Sequence, residues 1–354
     1  MAARAGDSQG KRQRRATIVD VARLAGVSKG LVSFVLNDRP GVAPATRERI
    51  LDAVRELDWH PSQRARSLSN ERAYAMGFVL ARPAELLAAD PFFPAFIAGV
   101  EAELSARNAS LVLQVVPNVA TELEAYRRLA ADHRVDGVLV ADLRVDDPRP
   151  EALIEIGLPA VTLGRPDGRR AGPAVVIDDG PGVIAAIEHL VELGHERIAF
   201  VGGPDEFLHA RHRREAWRSA LDRFGLSTAL VAVGDFGGES GAEATARLLD
   251  RPAGRQPTAI VYANDLMAVA GASAAARLGR RVPDDLSVVG FDDITVAAYI
   301  HPPLTTVAQD AVAWGRAATR AVFDLVEHHV DADVELAPAR LVIRNSTAPT
   351  RRTT

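Results

Sequence analysis

Apolar positions follow two rhythms along this chain. From Ile18 to Leu57 they recur every three or four residues, the spacing of one buried helix face. From Ala73 onward they gather into short runs, separated by longer stretches of helical spacing. The first rhythm predicts a small all-helical head, the second a larger α/β body.

In the head, Ile18, Val21, Ala22 and Ala25 share a face. Thr17 precedes them with Asp20 three residues on, a capping box in which hydroxyl and carboxylate satisfy free N–H groups. Gly26 supplies a turn, Val27 packs under it, and Ser28 caps a second helix whose stripe is Val32, Val35 and Leu36, flanked by Leu31. A third helix runs from about Ala45 to Leu57, with Ile50, Val54 and Leu57 apolar; Trp59 and Pro61 end it. This pattern suits a helix-turn-helix or a generic helical hairpin. The second helix favours the former, because Lys29, Gly30, Ser33, Phe34 and Asn37 lie off its stripe, where a recognition helix meets the major groove. Lys29 can donate to guanine or phosphate. Gly30 costs about 1 kcal/mol in a helix interior, which makes sense if the backbone comes close to DNA. Phe34 would touch a thymine methyl or a sugar edge, or else pack as core on the third helix.

Charge supports the division. Residues 1–72 hold 14 Lys+Arg against 8 Asp+Glu, and the remainder 28 against 38. A basic head on an acidic body suits a nucleic-acid-binding module joined to one that does not touch nucleic acid, although four of the basic charges lie in the tail Lys11–Arg15. There is no cysteine, which excludes disulfides and thiolate sites and fits a reducing cytoplasm. No apolar run approaches the ~18 residues of a membrane span, and Asp20 and Arg23 interrupt the stretch after the basic N-terminus, so a signal peptide is not expected.

In the body, strands are predicted at Met76–Leu80, Ser110–Val115, Gly137–Val140, Ala160–Leu163, Ala174–Ile177, Arg197–Val201, Ala229–Val233, Ala259–Tyr262 and Leu286–Phe291, mostly with helices between them. Nine or more strands in about 270 residues fit two doubly wound parallel sheets better than one.

The stretch TIVDVARLAGVSKGLVSFVLNDRPGVAPATRERILDAVRELDWHPSQRARSL resembles the DNA-binding head of the lactose/galactose-repressor family without a gap. The segments ADPFFPAFIAGVEAEL, EHLVELGHERIAFVGG, PTAIVYANDLMAVAGA, RVPDDLSVVGFDDI, HPPLTTVAQD and LVIRNST extend the resemblance through the body. It implies a helix-turn-helix at 17–60 behind a disordered basic tail (1–16), a hinge helix and linker at 61–72, and a periplasmic-binding-protein-like effector and dimerisation domain at 73–347, with 348–354 a tail. The two subdomains would be about 73–163 with 308–334, and 164–307 with 335–347, so that the chain crosses near Leu163, Ala308 and Glu335. In the hinge, Leu68 matches the residue that wedges into the minor groove and Ala65 the small residue that lets two hinge helices approach. Thr17 and Ser28 join the DNA-facing set. One departure stands out: many relatives carry arginine where this chain has Phe34, so their operator preference does not transfer.

Strand ends and the resemblance together nominate a cleft. Arg213 and Asp292 lead, the first for paired hydrogen bonds to vicinal hydroxyls, the second as their acceptor. Asn264 follows a strand, Phe92 and Phe236 (with Phe207 a further candidate) could stack on a pyranose ring, Arg165 follows Leu163, and Gln309 sits at a crossover. Each has a plainer alternative: Arg213 stands among Arg211 and Arg214, and Asn264-Asp265 and Asp292-Asp293 could cap helices. His209 and His212 lie three apart without an evident third metal ligand. No GxGxxG, Walker A or HExxH motif occurs, no cofactor is expected, and no local motif pairs carboxylates for catalysis. The expectation is therefore a cytoplasmic transcription regulator, acting as a repressor, gated by a sugar or sugar derivative. With no leucine heptad after LVIRNST it would be a homodimer on a palindromic operator, with half-sites ~34–36 Å apart. The competitors are a transporter's solute-binding protein, which should carry a signal peptide and no helix-turn-helix, and an enzyme on a doubly wound fold.

Overall fold

The computed structural model describes residues 16–36, 39–59, 72–168, 172–252 and 254–350. The chain forms two compact units, residues 1–72 and 73–354.

Three helices build the first unit: α1 (Ile18–Ala25), α2 (Lys29–Leu36) and α3 (Pro44–Glu56). The capping box is present: Oδ2 of Asp20 accepts from the Thr17 N–H at 2.9 Å and from its hydroxyl at 2.7 Å. Gly26 ends α1 at φ 66°, a left-handed conformation that favours glycine. Ser28 Oγ accepts from the Leu31 N–H at 3.2 Å and starts α2. The core is the expected stripe, Val21, Ala22, Ala25, Val32 and Val35, closed by Ile50, Ala53 and Trp59. The tail, Asn37 and the hinge positions Ala65 and Leu68 lie outside the described residues.

The second unit holds two six-stranded sheets. The first is parallel throughout: β1 (Ala75–Leu80), β2 (Ser110–Val115), β3 (Gly137–Val140), β4 (Ala160–Leu163), β5 (Ala174–Val176) and β11 (Val334–Glu335), in the order β11-β5-β4-β3-β1-β2. The second contains β6 (Ile198–Gly202), β7 (Val231–Val233), β8 (Ala259–Tyr262), β9 (Ser287–Asp292), β10 (Thr305–Ala308) and β12 (Arg340–Val342), in the order β12-β10-β9-β8-β6-β7. Only β12 runs antiparallel, against β10. Strand side chains alternate between two helical layers. Phe78 and Leu80 meet α5 (Phe92–Ala106) and α12 (Ala311–His328), while Val79 faces α6 (Val119–Ala131) and α7 (Arg149–Glu155). Burial on both faces explains why the interior strands β1, β3, β6 and β8 read as continuous apolar runs.

The subdomain boundary differs from expectation. The crossing placed at Leu163 lies beyond Val176, because β5 pairs with β4 and completes the first sheet. Residues 174–176 therefore belong with the first sheet and not the second. Glu335 is the last residue of β11, still in the first sheet, and the chain reaches the second by β12. Strands β10, β11 and β12 escaped the sequence reading; β11 and β12 are only two and three residues long, too short for a period to register.

Candidate functional site

A cavity lies between the C-terminal ends of the two sheets, where open α/β folds collect ligands. Strand ends supply most of its polar groups. Arg82 and Asp142 each stand two residues beyond a strand of the first sheet, and Asn264 two beyond β8. Asp292 ends β9 at φ 110°. That backbone region is costly for a residue with a Cβ and recurs at functional sites. The remaining charged and amide groups come from α9 (Leu208–Arg223), which carries His209 and Arg213, from Asp90 just before the helix Phe92–Ala106, and from Gln309 after β10.

The expected residues divide. Phe92, Arg213, Phe236, Asn264, Asp292 and Gln309 all line this cavity. Arg165 does not: it is paired with Asp333, Nε to Oδ2 at 3.1 Å, and with Glu335. There it ties the loop after β4 to the β11 region, beside a separate hollow. Asn264 lines the cavity but also caps α11 (Asp265–Arg277), accepting from the Met267 N–H at 2.9 Å while donating to the Phe236 carbonyl at 2.9 Å. The helix cap weighed as its plainer alternative is therefore present. Arg213 is buried and not a surface charge. Its Nε donates to Asp179 at 2.7 Å, Nη1 donates to the Ala263 carbonyl at 2.7 Å, and the guanidinium lies 3.6 Å over the Phe291 ring. Asp292 accepts from Gln309 at 2.6 Å, and burial raises its carboxyl well above the usual range despite the nearby Arg213.

Three polar residues of the cavity escaped the sequence reading, Arg82, Asp90 and Asp142, and His209 was weighed only as a metal ligand. Arg82 forks onto Asp142, Nε to Oδ2 at 2.5 Å and Nη2 to Oδ1 at 2.7 Å, with Nη1 3.5 Å from Asp90. Desolvation opposes the charge on Asp142, but Arg82 outweighs it and holds the carboxyl down to about 2. His209 stacks on Phe207 and Phe236 at 5.6 and 5.3 Å, and desolvation with the Arg213 charge lowers it to about 3, so the imidazole is neutral. Gly203 makes this stack possible, since a Cβ there would fall 2.1 Å from the Phe236 ring. The available signal was a charged residue just past an apolar run, the one that nominated Asp292; Arg82 and Asp142 share it.

Two backbone bonds close the cleft from one sheet's loops to the other's: Val145 N–H to Glu206 O at 2.9 Å and Leu208 N–H to Leu143 O at 2.8 Å. The loop that carries Asp142 and this strap is itself fixed by Arg149, which donates to the Asp142 carbonyl at 2.7 Å and pairs with Glu122 and Asp147 at 2.6 and 2.7 Å.

Beneath the cavity Asp265 is fully buried, accepting from the Thr306 hydroxyl at 2.6 Å and the Ile294 N–H at 2.9 Å. It neither reaches the cavity lining nor needs a ligand. Burial pushes its carboxyl up to about 7, above an unfolded value near 4. The folded state therefore holds this proton more tightly across that window, and its contribution to stability is lost as pH rises through about 7. Between pH 7 and 5 the parent should gain about 2–3 kcal/mol relative to Asp265→Asn, at 1.36 kcal/mol per unit. Thermal melts of both proteins across that range measure it; a constant difference would refute the assignment.

In the head, Lys29 and Phe34 are exposed, Phe34 with the Arg39 guanidinium 5.4 Å over its ring, so its core reading is excluded. The string Gly26-Val27-Ser28-Lys29-Gly30 spells the nucleophile pattern GxSxG, but Ser28 sits between two helices and caps the second, without the strand that such an elbow requires.

A helix-turn-helix unit followed in the chain by a two-sheet body with a cleft defines a ligand-responsive class of DNA-binding regulator. Residues 17–62 match the model of the bacterial regulatory proteins, lacI family, and residues 187–347 that of the periplasmic binding protein-like domain. The transcriptional regulator CelR of Thermobifida fusca is 38% identical over 341 residues, 95% of this chain and 99% of the relative. The repressor PurR of Photobacterium profundum is 34% identical over 94% of this chain and 98% of its own. Among solved structures, a CelR–cellobiose complex is 36% identical with TM-score 0.72, covering 94% of this chain and all of that one. A lac repressor dimer bound to operator and the anti-inducer ONPF reaches TM-score 0.82 at 29% identity, covering 95% and 100%. The chain belongs to the lacI family of bacterial transcription regulators. It is a DNA-binding regulator, not an enzyme and not a transporter's solute-binding protein. No helix among the described residues is long and apolar enough to cross a membrane.

Proposed function

We propose that this protein is a cytoplasmic, homodimeric repressor whose operator affinity is set by a saccharide bound between its two sheets. The cavity carries this reading. It combines Phe92 and Phe236 as aromatic walls with Arg82, Arg213, Asp142, Asp292 and Gln309 as convergent donors and acceptors, the pairing that a pyranose ring with vicinal hydroxyls requires. Cellobiose in the CelR structure supports the ligand class. Opening the cleft must break the Leu143–Val145 strap, so a ligand that bridges the sheets favours the closed form. It shifts DNA affinity by its differential affinity for the two forms. A thermal-shift screen of saccharides with nucleobases as controls tests the reading; stabilisation by nucleobases alone would overturn it.

On the DNA side, Lys29, Gly30, Ser33 and Phe34 form the proposed groove-facing set with Asn37, framed by Thr17 and Ser28, and Leu68 with Ala65 the proposed minor-groove wedge. Gly30 is informative because its helix does not need a glycine. A Cβ there would meet nothing closer than Ser28 Oγ at 3.8 Å. Gly30→Ala is therefore expected to stabilise the head by up to about 1 kcal/mol through helix propensity, yet to weaken operator binding. Lys29→Ala and Phe34→Ala should lose about 1–3 kcal/mol of discrimination between operator and random DNA. Fluorescence anisotropy on both DNAs reads all three. Equal losses on the two DNAs would show that these residues only position the backbone.

A further inference from the structure

Resting on the saccharide reading of the cavity, its electrostatics narrow the ligand further. Both guanidiniums in the lining are already neutralised by protein carboxylates: Arg82 by the two-pronged pair with Asp142 and by Asp90, Arg213 by Asp179. Asp292 faces the same space, and its bond comes from the uncharged amide of Gln309. An arriving anion would therefore find no unpaired cation in this lining and would lie among three carboxyl groups. Two buried side-chain atoms of this lining have no hydrogen-bond partner: Nη1 of Arg82, a donor, and Oε1 of Gln309, an acceptor. A hydroxyl serves both, because it donates and accepts. An ionised phosphate or carboxylate only accepts, so it would leave Gln309 unsatisfied and place its charge beside the Asp142 carboxylate out of water.

We infer that the cavity accepts uncharged polyhydroxylated ligands and rejects their phosphorylated or carboxylated forms, with the Arg82–Asp142 pair as the charge filter. The filter works by pre-empting Arg82: once its fork is occupied, no charge is left to repay the desolvation of an anion.

Titration calorimetry of the full chain with matched probes tests this: glucose against glucose 6-phosphate and glucuronate, and cellobiose against cellobionate. At least one neutral probe should bind, with its anionic partner at least a hundred-fold weaker. An anionic form that binds as well as its neutral partner overturns the inference while leaving the saccharide reading intact. If no probe of either kind binds, the saccharide reading fails and takes the inference with it. In Asp142→Asn, Arg82 loses its main counter-charge, and the neutral-over-anionic preference should shrink at least ten-fold. Asp90→Asn, which leaves the fork in place, should shrink it less; thermal melts establish that both variants fold. An unchanged preference in folded Asp142→Asn refutes the filter.

Discussion

Replacing Arg149 by leucine is expected to lower the melting temperature by roughly 6–20 °C. Arg149 is buried with Glu122 and Asp147, also buried, against it at 2.6 and 2.7 Å. Tyr126 adds its hydroxyl to Glu122 at 3.2 Å. Removing one member of such a group leaves the others charged and unpaired, which costs about 3–5 kcal/mol. At about 2–4 °C per kcal/mol for a domain of this size the stated range follows. The loss should reach the cleft as well, because Arg149 also holds the Asp142 carbonyl. Combining Arg149→Leu with Glu122→Gln and Asp147→Asn should recover part of the loss, since the stranded charges are then gone. Scanning calorimetry decides the matter: a change below about 1 °C in Arg149→Leu would mean that the network is not truly withdrawn from water.

Arg213→Ala should abolish the response to effector while operator binding persists. The guanidinium is fixed on three sides, by Asp179, by the Ala263 carbonyl and by the Phe291 ring. That fixing makes it a pre-ordered donor for ligand hydroxyls. Hydrogen bonds to a charged group contribute about 1.5–3 kcal/mol each, so saccharide affinity should fall on the order of a hundred-fold. Arg213→Lys keeps a charge near Asp179 but not the planar fork, and should restore thermal stability without restoring affinity. Operator titrations with and without the saccharide found by screening give the readout. Binding and regulation must be lost together, because coupling between the two sites is reciprocal. Normal saccharide affinity in both variants would remove Arg213 from the binding set.

The local parts of this molecule were legible without coordinates because their causes are local. The capping box of Thr17 and Asp20, the Gly26 turn and the Val32/Val35 stripe depend on contacts within a few residues, and they stand where the pattern put them. Four predicted strands, Ser110–Val115, Gly137–Val140, Ala160–Leu163 and Ala259–Tyr262, have the observed bounds; burial on both faces makes Gly137–Val140 and Ala259–Tyr262 unbroken apolar runs, whereas Ser110–Val115 is a partly exposed edge strand. The cavity residues Arg213, Asp292 and Gln309 came from strand ends and from the family resemblance. What the chain could not announce is set by partners far away in sequence. The first crossing moved past Val176 because three residues of β5 find their edge on β4, which no periodicity encodes. Arg165 left the candidate ligand set because Asp333 and Glu335, some 170 residues on, claim it. Arg82 entered the site because folding brings Asp142, 60 residues away, against it. An arginine's role depends on which carboxylate reaches it first. Spacing along the chain carries helix faces and strand runs, but the pairing of charges across a cleft exists only once the two sheets are in place.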